Sequence, residues 1–181
     1  MSDENLRWTT DSRRELLQTP VFRVVEQQET AASGYQGHYM ALDAPDWVTI
    51  VGEHDGRLVM VRQWRHGAEC LTTEIPGGLC APGEEPAAAA AREFAEETGY
   101  RVGKLTKLAT VNPNPALFKN RVHFFLAEAL TPTGEQHPDA DEYIRCVERP
   151  VSDVIRDFGS GEYCNALLGT ALMLYMRYRM E

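Results

Sequence analysis

The chain has 181 residues, 43% of them hydrophobic, and its 18 basic and 27 acidic side chains give a net charge of −9 at pH 7. This length and composition predict one domain with a sizeable core and an appended N-terminal segment. An acidic chain lacks the positive surface of a general nucleic-acid-binding protein, so we expect no nucleic acid partner. It must also recruit a cation if it is to hold an anionic substrate.

The sequence also predicts where the protein resides. No stretch approaches the length of apolar residues that a membrane span needs, so we expect no association with a membrane. The polar, acidic N-terminus does not resemble a signal peptide. The cysteines show no paired metal-binding spacing and are typical of free thiols in a reducing cytoplasm. They are Cys70, Cys80, Cys146 and Cys164.

Residues 1–45 are predicted to form a separate N-terminal segment, followed by the main domain at 46–181. Residues 1–19 are polar, and Pro20 ends whatever helix forms in them. The run 21–26 is rich in β-branched and aromatic residues, and 35–42 alternates in the manner of a returning strand. A Ser-Gly turn between these runs completes a predicted β-hairpin.

Three further strands are predicted before the centre of the chain. The apolar run 47–51 is followed by an Asp-Gly turn at 55–56 and by the strand 58–65, whose apolar start indicates burial on both faces. A third strand begins at residue 71 and ends in the turn Pro76-Gly77-Gly78.

A helix is predicted at residues 86–98. Pro86 suits the first helical position because its missing N–H would be unsatisfied there in any case. The five alanines that follow have high helical propensity, and Gly99 is a natural left-handed C-cap.

This helix carries a cluster of carboxylates. Glu93 and Glu97 are four residues apart and share a face, and Glu96 lies three residues from Glu93. Like charges at this spacing cost roughly 0.2–0.5 kcal/mol per pair, which a hard cation such as Mg²⁺ or Mn²⁺ would relieve. Arg92, four residues before Glu96 and eight after Glu84, can fix an acidic side chain by bidentate hydrogen bonds. The alternative is a solvated acidic face on a surface helix.

The whole spacing from Gly78 to Tyr100 favours the metal site. It has the form Gly-x5-Glu-x7-Arg-Glu-Phe-x-Glu-Glu-x-Gly-Tyr and resembles the Nudix box at every defined position. The resemblance implies an α/β fold, the Nudix α/β/α sandwich with a mixed central sheet, here with an N-terminal β-hairpin extension. It also implies that the metal ligands are the backbone carbonyl of Gly77 and the carboxylates of Glu93, Glu96 and Glu97.

The strand before the box carries the clearest indication of substrate. Residues 61–66, Val-Arg-Gln-Trp-Arg-His, resemble the corresponding strand of ADP-ribose and nucleotide-sugar pyrophosphatases. The resemblance implies that Arg65 contacts a diphosphate or ribose, that Trp64 stacks on a base, and that Arg62 also lies at the substrate. The alternative is a core Trp64 and a surface Arg65. The N-terminal hairpin resembles the dimerisation sheet of the same enzymes, which implies a homodimer; the alternative is an edge hairpin packed on its own domain.

Beyond the box, a strand is predicted at 104–111, and a proline-containing loop follows at 111–117. A proline about 16 residues past the box marks the ADP-ribose pyrophosphatase subgroup of the resembled enzymes. Pro115 lies 15 residues past Tyr100 and Pro113 lies 13 past it, so which proline corresponds depends on where the box is taken to end. Further strands are predicted at 120–127 and 143–148.

Two helices are predicted at the C-terminal end of the chain. The first is a short helix that begins near residue 151. The second, at 164–179, has an apolar stripe that should pack on the sheet.

The polar loop 131–141 precedes the last of these strands. In the resembled enzymes this loop brings an acidic side chain over the metals, and Glu142 corresponds best, with Asp139 and Asp141 as alternatives. A solvated acidic loop is the simpler explanation of such a run. Glu74, which precedes the Pro-Gly-Gly turn, could reach a second metal or anchor Arg92.

The sequence therefore predicts a metal-dependent hydrolase of a diphosphate bond. The expected substrate is a small nucleotide, ADP-ribose or a related nucleotide sugar, which would give a nucleoside monophosphate and a sugar phosphate. Glu97, Glu96 and Arg92 would act at the catalytic centre, with Glu142 as the base. The alternatives are a hydrolase of nucleoside triphosphates or dinucleoside polyphosphates, or a non-catalytic nucleotide-sensing Nudix module.

Overall fold

A computed structural model describes residues 3–137 and 142–181 of the chain. Within these residues, no helix is long and apolar enough to cross a bilayer. The chain divides into two compact units. The first comprises Met1–Pro45 and Asn112–Arg121, and the second comprises Asp46–Val111 and Val122–Glu181. The domain boundary between residues 45 and 46 stays a prediction.

The first unit contains a three-stranded antiparallel sheet. Its strands, in spatial order, are β1 (Trp8–Gln18), β2 (Arg23–Ala31) and β3 (Gln36–Asp43). The predicted hairpin is confirmed as β2 and β3. The expectation of a helix before Pro20 is wrong, because residues 8–18 form a strand. This strand is mostly exposed and contacts β2 through polar pairs such as Arg14 with Glu26, whose Nη2 and Oε2 atoms are 3.0 Å apart.

The loop at residues 112–121 lies with this N-terminal sheet. The backbone N–H of Leu42 donates to the carbonyl of Leu117 at 2.8 Å, and the N–H of Lys119 donates to the carbonyl of Leu42 at 3.0 Å. The proline-containing loop therefore belongs to the first unit, although it follows the second unit's strands in the sequence.

The second unit is built on a seven-stranded mixed sheet. Its strands are β4 (Trp47–His54), β5 (Arg57–Arg65), β6 (Cys70–Glu74), β7 (Gly77–Leu79), β9 (Lys104–Val111), β10 (Val122–Glu128) and β12 (Arg145–Pro150). Two short strands, β8 (Tyr100–Arg101) and β11 (Thr131–Pro132), form a separate pair. The sheet order is β12-β5-β4-β10-β9, with β6 beside β5 and β7 beside β4, while β8 pairs with β11. Strands β4 and β10 are parallel, and the other pairs are antiparallel.

Helices cover both faces of this sheet. They are α1 (Pro86–Thr98), α2 (Val151–Asp157) and α3 (Ala166–Met180). Alternate residues of a strand point to opposite faces, so Ile50 of β4 packs with Phe94 of α1, whereas Val51 packs with Leu168 of α3. The predicted α/β/α sandwich with a mixed central sheet is confirmed.

Candidate active site

Glycines allow strand β7 to run closely between strand β4 and helix α1. A Cβ atom added to Gly77 would lie 2.2 Å from the carbonyl oxygen of Val48, and one added to Gly78 would lie 2.4 Å from the carboxylate carbon of Glu93. Any side chain at Gly78 would therefore displace the Glu93 carboxylate. The missing side chains leave space for the acidic face of α1 beside the backbone of β7.

Helix α1 begins and ends as its sequence predicts. Pro86 is the first helical residue, and Gly99 closes the helix with φ 71°, its N–H donating to the carbonyl of Ala95. Phe94 is fully buried against the sheet. Because Glu93 and Glu97 flank this buried side chain, their carboxylates lie at the edge of the core and are themselves largely desolvated.

Arg92 joins the acidic side chains on the outer side of the helix. Its Nε and Nη2 atoms donate to the two carboxylate oxygens of Glu84, both at 3.0 Å. Its Nη1 atom donates to Glu93 at 2.9 Å and to Glu96 at 3.0 Å. The bidentate contact with Arg92 lowers the pKa of Glu84 to about 2, with help from the N–H of Ala81.

Glu97 is the most buried of the acidic side chains on this face. It is only 2% exposed, and its Oε2 atom accepts a hydrogen bond from the N–H of Gly77 at 3.0 Å. Burial, reinforced by the charges of Glu93 and Glu142, raises the pKa of Glu97 to about 8 despite the Gly77 contact. Burial also raises the pKa of Glu93, and the contact with Arg92 opposes this effect.

The predicted metal ligands lie where helix α1 meets strand β7, but their side chains do not converge on one point. Within residues 3–137 and 142–181, no three acidic, histidine or cysteine side chains form a ready-made metal cluster. The reason is local, since Glu93 and Glu96 contact Arg92 while Glu97 contacts the N–H of Gly77.

Arg65 is held by Glu74 at the end of strand β5. The Nε and Nη2 atoms of Arg65 donate to the two carboxylate oxygens of Glu74 at 3.0 and 2.7 Å. The expectation that Glu74 anchors Arg92 is therefore wrong, because Arg92 contacts Glu84 instead. Trp64 is 49% exposed, so the alternative that it belongs to the core is also wrong.

Glu142 lies within electrostatic range of Arg65 and Glu97. The pKa of Arg65 is raised first by its hydrogen bond with Glu74, and the charges of Glu97 and Glu142 add to this effect. Glu142 is therefore near both the buried carboxylate and the arginine. The alternative bases, Asp139 and Asp141, lie outside the described residues.

Two predicted substrate residues have different surroundings. Arg62 forms an ion pair with Glu162, which also accepts a hydrogen bond from the Thr73 hydroxyl at 2.9 Å. Pro115 is exposed and belongs to the first unit. Substrate contacts by Arg62 and Pro115 stay predictions.

Asn165 contacts the site and was not identified from the sequence. Its side-chain nitrogen donates to Glu74 at 2.7 Å. An Asn immediately before an apolar helical run is a recognisable N-cap signal. Its contact with Glu74 could not be found in this way, because the two residues are 91 positions apart.

Comparison with known proteins identifies the family. The pattern of the NUDIX domain matches residues 44–161. An ADP-ribose pyrophosphatase of Bacillus subtilis is 36% identical over 130 residues, covering 71% of this chain and 70% of that protein. A GDP-mannose pyrophosphatase of Klebsiella pneumoniae is 33% identical over 124 residues, covering 64% of this chain and 62% of that protein. A crystal structure of an ADP compounds hydrolase aligns with a TM-score of 0.85 at 24% identity, covering 96% and 95% of the two chains, and shows the shared fold.

The chain therefore belongs to the Nudix family, and the resemblance at residues 78–100 is confirmed. It is a Nudix pyrophosphatase, a hydrolase of diphosphate bonds, and this family uses divalent metal ions. The acidic face of α1 fits such an ion. The atoms that it offers as ligands are carboxylate oxygens, which hard divalent cations prefer. Glu97 is a buried carboxylate, and a nearby cation would stabilise its ionised form.

Proposed function

We propose that the protein hydrolyses the diphosphate bond of ADP-ribose or a related nucleotide sugar, giving a nucleoside monophosphate and a sugar phosphate. The observation that carries the proposal is the position of Arg65. A half-exposed guanidinium, fixed by Glu74, lies within electrostatic range of the carboxylates Glu97 and Glu142. An anionic diphosphate next to Arg65 would therefore be close to the acidic metal-binding face.

The arginine has donors left for the substrate. Of the five N–H groups of a guanidinium, Glu74 takes two, which leaves three. These three can donate to phosphate oxygens or to ribose hydroxyls. The exposed ring of Trp64, the preceding residue, offers a surface on which a nucleobase can stack.

Mg²⁺ or Mn²⁺, when bound by Glu93, Glu96, Glu97 and the Gly77 carbonyl, would neutralise the diphosphate and acidify a water molecule. Glu142, as an exposed carboxylate in range of the site, would accept the proton of that water. Arg92 orients Glu93 and Glu96 through its Nη1 atom while Glu84 holds the rest of its guanidinium.

The non-catalytic alternative receives no support, because every acidic residue of the box is present. A comparison of substrates with Mg²⁺ separates the remaining alternatives. We expect the highest kcat/KM with ADP-ribose or another nucleotide sugar, with the nucleoside monophosphate and sugar phosphate as products. Chelation by EDTA should abolish turnover, and Mg²⁺ should restore it. Faster hydrolysis of ATP or of a diadenosine polyphosphate would contradict the proposal.

We further propose that the protein is a cytoplasmic homodimer that associates through its N-terminal sheet. The exposed ring of Trp8 contacts Tyr39 and Tyr35 edge-on, with ring centroids 5.4 and 6.1 Å apart. Clustered aromatic side chains are typical of the energetic centre of an interface. Light scattering after size exclusion should give a dimer for the parent and a smaller species for Trp8→Ser. A monomeric parent would contradict this proposal.

A further inference from the structure

Glu74 is a buried carboxylate with four hydrogen bonds. It is 3% exposed. One oxygen accepts from Arg65 Nε at 3.0 Å and from the Thr72 hydroxyl at 2.6 Å, and the other accepts from Arg65 Nη2 at 2.7 Å and from Asn165 Nδ2 at 2.7 Å. Burial alone would raise the pKa of Glu74, but the contacts with Arg65, Thr72 and Asn165 outweigh it and hold the pKa below its ordinary value.

Asn165 connects this carboxylate to helix α3. Its Oδ1 atom accepts the backbone N–H of Leu167 at 2.9 Å, which caps the helix, while its Nδ2 atom donates to Glu74. The two contacts fix the orientation of the amide, since a flipped amide would place its NH₂ group against an N–H donor and its oxygen against a carboxylate. The amide thus uses its acceptor for the helix and its donor for the carboxylate.

We propose that Asn165 is a positioning residue for substrate binding, which sets the plane of the Arg65 guanidinium through Glu74. This inference rests on the proposed contact between Arg65 and the diphosphate or ribose. Thr72 donates to one oxygen of Glu74 and Asn165 donates to the other, so the carboxylate cannot rotate without losing a hydrogen bond. The bidentate contact then directs the three remaining N–H groups of Arg65 away from Glu74.

The discriminating variant is Asn165→Ser. Serine is also a good N-cap, so it keeps the contact to α3, but its hydroxyl ends one bond short of the position of Asn165 Nδ2, which weakens or breaks the contact to Glu74. With ADP-ribose and Mg²⁺ we expect KM to rise about three- to tenfold while kcat changes less than about twofold, because a binding contact is loosened and the metal site is untouched. Met173→Gly is the matched control, since Met173 is an exposed residue of the same helix. It should lower thermal stability and leave KM unchanged.

Combination with Arg65→Ala shows whether Asn165 acts through the arginine. If it does, Asn165→Ser should raise KM in the parent but by less than about twofold once Arg65 is already absent. A full effect in the Arg65→Ala background would overturn the inference. An unchanged KM for Asn165→Ser beside a raised KM for Arg65→Ala would also overturn it, and would leave the proposed function intact. An unchanged KM for Arg65→Ala would refute the arginine's contact with substrate, and the inference with it.

Asn165→Asp provides a second readout that loss of folding cannot imitate. Aspartate keeps the N-cap but places a carboxylate against Glu74, so KM should rise further than in Asn165→Ser at about pH 8. On acidification the pair takes up a proton, which restores a donor to Glu74, so the ratio of variant to parent KM should fall toward one near about pH 5.5. A ratio that does not change with pH would overturn the inference.

Discussion

Replacement of Glu97 by Gln should separate the stability of the site from its activity. Glu97 is 2% exposed, and burial together with Glu93 and Glu142 raises its pKa from 4.5 to about 8. In the metal-free protein the folded state therefore binds this proton more tightly than the unfolded chain does. The sign follows directly, because Glu97 costs nothing below about pH 4.5 and destabilises the fold progressively as the pH rises toward 8.

The magnitude of this cost follows from the same pKa. At about 1.4 kcal/mol for each pKa unit, the rise from 4.5 to about 8 corresponds to an upper limit of roughly 5 kcal/mol. Local relaxation and entry of water reduce it to roughly 2–4 kcal/mol. The side-chain oxygen in the Glu97→Gln variant would still accept the Gly77 N–H, but the amide would carry no charge. The substitution should therefore remove the cost without creating a cavity.

Urea unfolding in EDTA at several pH values measures this effect. We expect Glu97→Gln to be more stable than the parent at about pH 8 by roughly 2–4 kcal/mol, with the two proteins converging near pH 4.5. Turnover with Mg²⁺ should fall by about 10³-fold or more, since a proposed metal ligand is lost. Mg²⁺ at one hundred times its Kd should stabilise the parent by about 2.7 kcal/mol for a single site, and should stabilise the variant less.

Glu96→Gln is the matched control for stability. Its side chain is 39% exposed and pairs with Arg92, so its loss should change stability by about 1 kcal/mol or less at any pH. Equal stability of Glu97→Gln and the parent at pH 8, or a difference that does not depend on pH, would refute the reasoning from burial. Near-normal turnover would rule out the proposed role of Glu97.

Two further substitutions test the geometry around Glu93 and Arg92. Gly78→Ala should lower kcat about 10²-fold with little loss of thermal stability, because its Cβ would displace the Glu93 carboxylate. Gly67→Ala is the control and should be neutral, because a Cβ at Gly67 meets nothing within 4 Å. Equal activity of the two variants would contradict this geometry. Arg92→Lys should lower turnover about 10- to 100-fold and raise the pKa of Glu84 from about 2, because an ammonium cannot replace the bidentate contact. The pKa of Glu84 can be measured by NMR titration, and an unchanged value would show that Arg92 does not control it.

Local signals in the sequence were sufficient to predict the box helix and several strands. Helix α1 occupies the predicted residues 86–98, because its proline, its alanines and Gly99 all act within the segment itself. Strand β9 likewise occupies the predicted 104–111. Strand β1 was missed because it shows no alternation of apolar and polar residues, and its order comes from pairing with β2.

The partners of the charged side chains were harder to predict. The contact between Arg92 and Glu84 could be predicted, because the two residues are only eight positions apart, in the helix and in the loop directly before it. Of the two possibilities that the sequence left open for Glu74, a second metal or an anchor for Arg92, the second is wrong. The partner of Glu74 is Arg65, which is brought beside it by the pairing of β5 with β6. Asn165 lies at the start of α3, and no spacing in the sequence specifies its contact with Glu74.

The proposed site is too negatively charged to bind an anion without a cation. Six glutamates and two arginines lie at or near the proposed site. When all of them are ionised, the negative charges exceed the positive charges by four. These residues are Glu74, Glu84, Glu93, Glu96, Glu97 and Glu142, with Arg65 and Arg92. Each arginine already shares its charge with a carboxylate, so neither can neutralise a diphosphate alone. If the substrate is a diphosphate as proposed, divalent cations must contribute to its binding as well as to its hydrolysis.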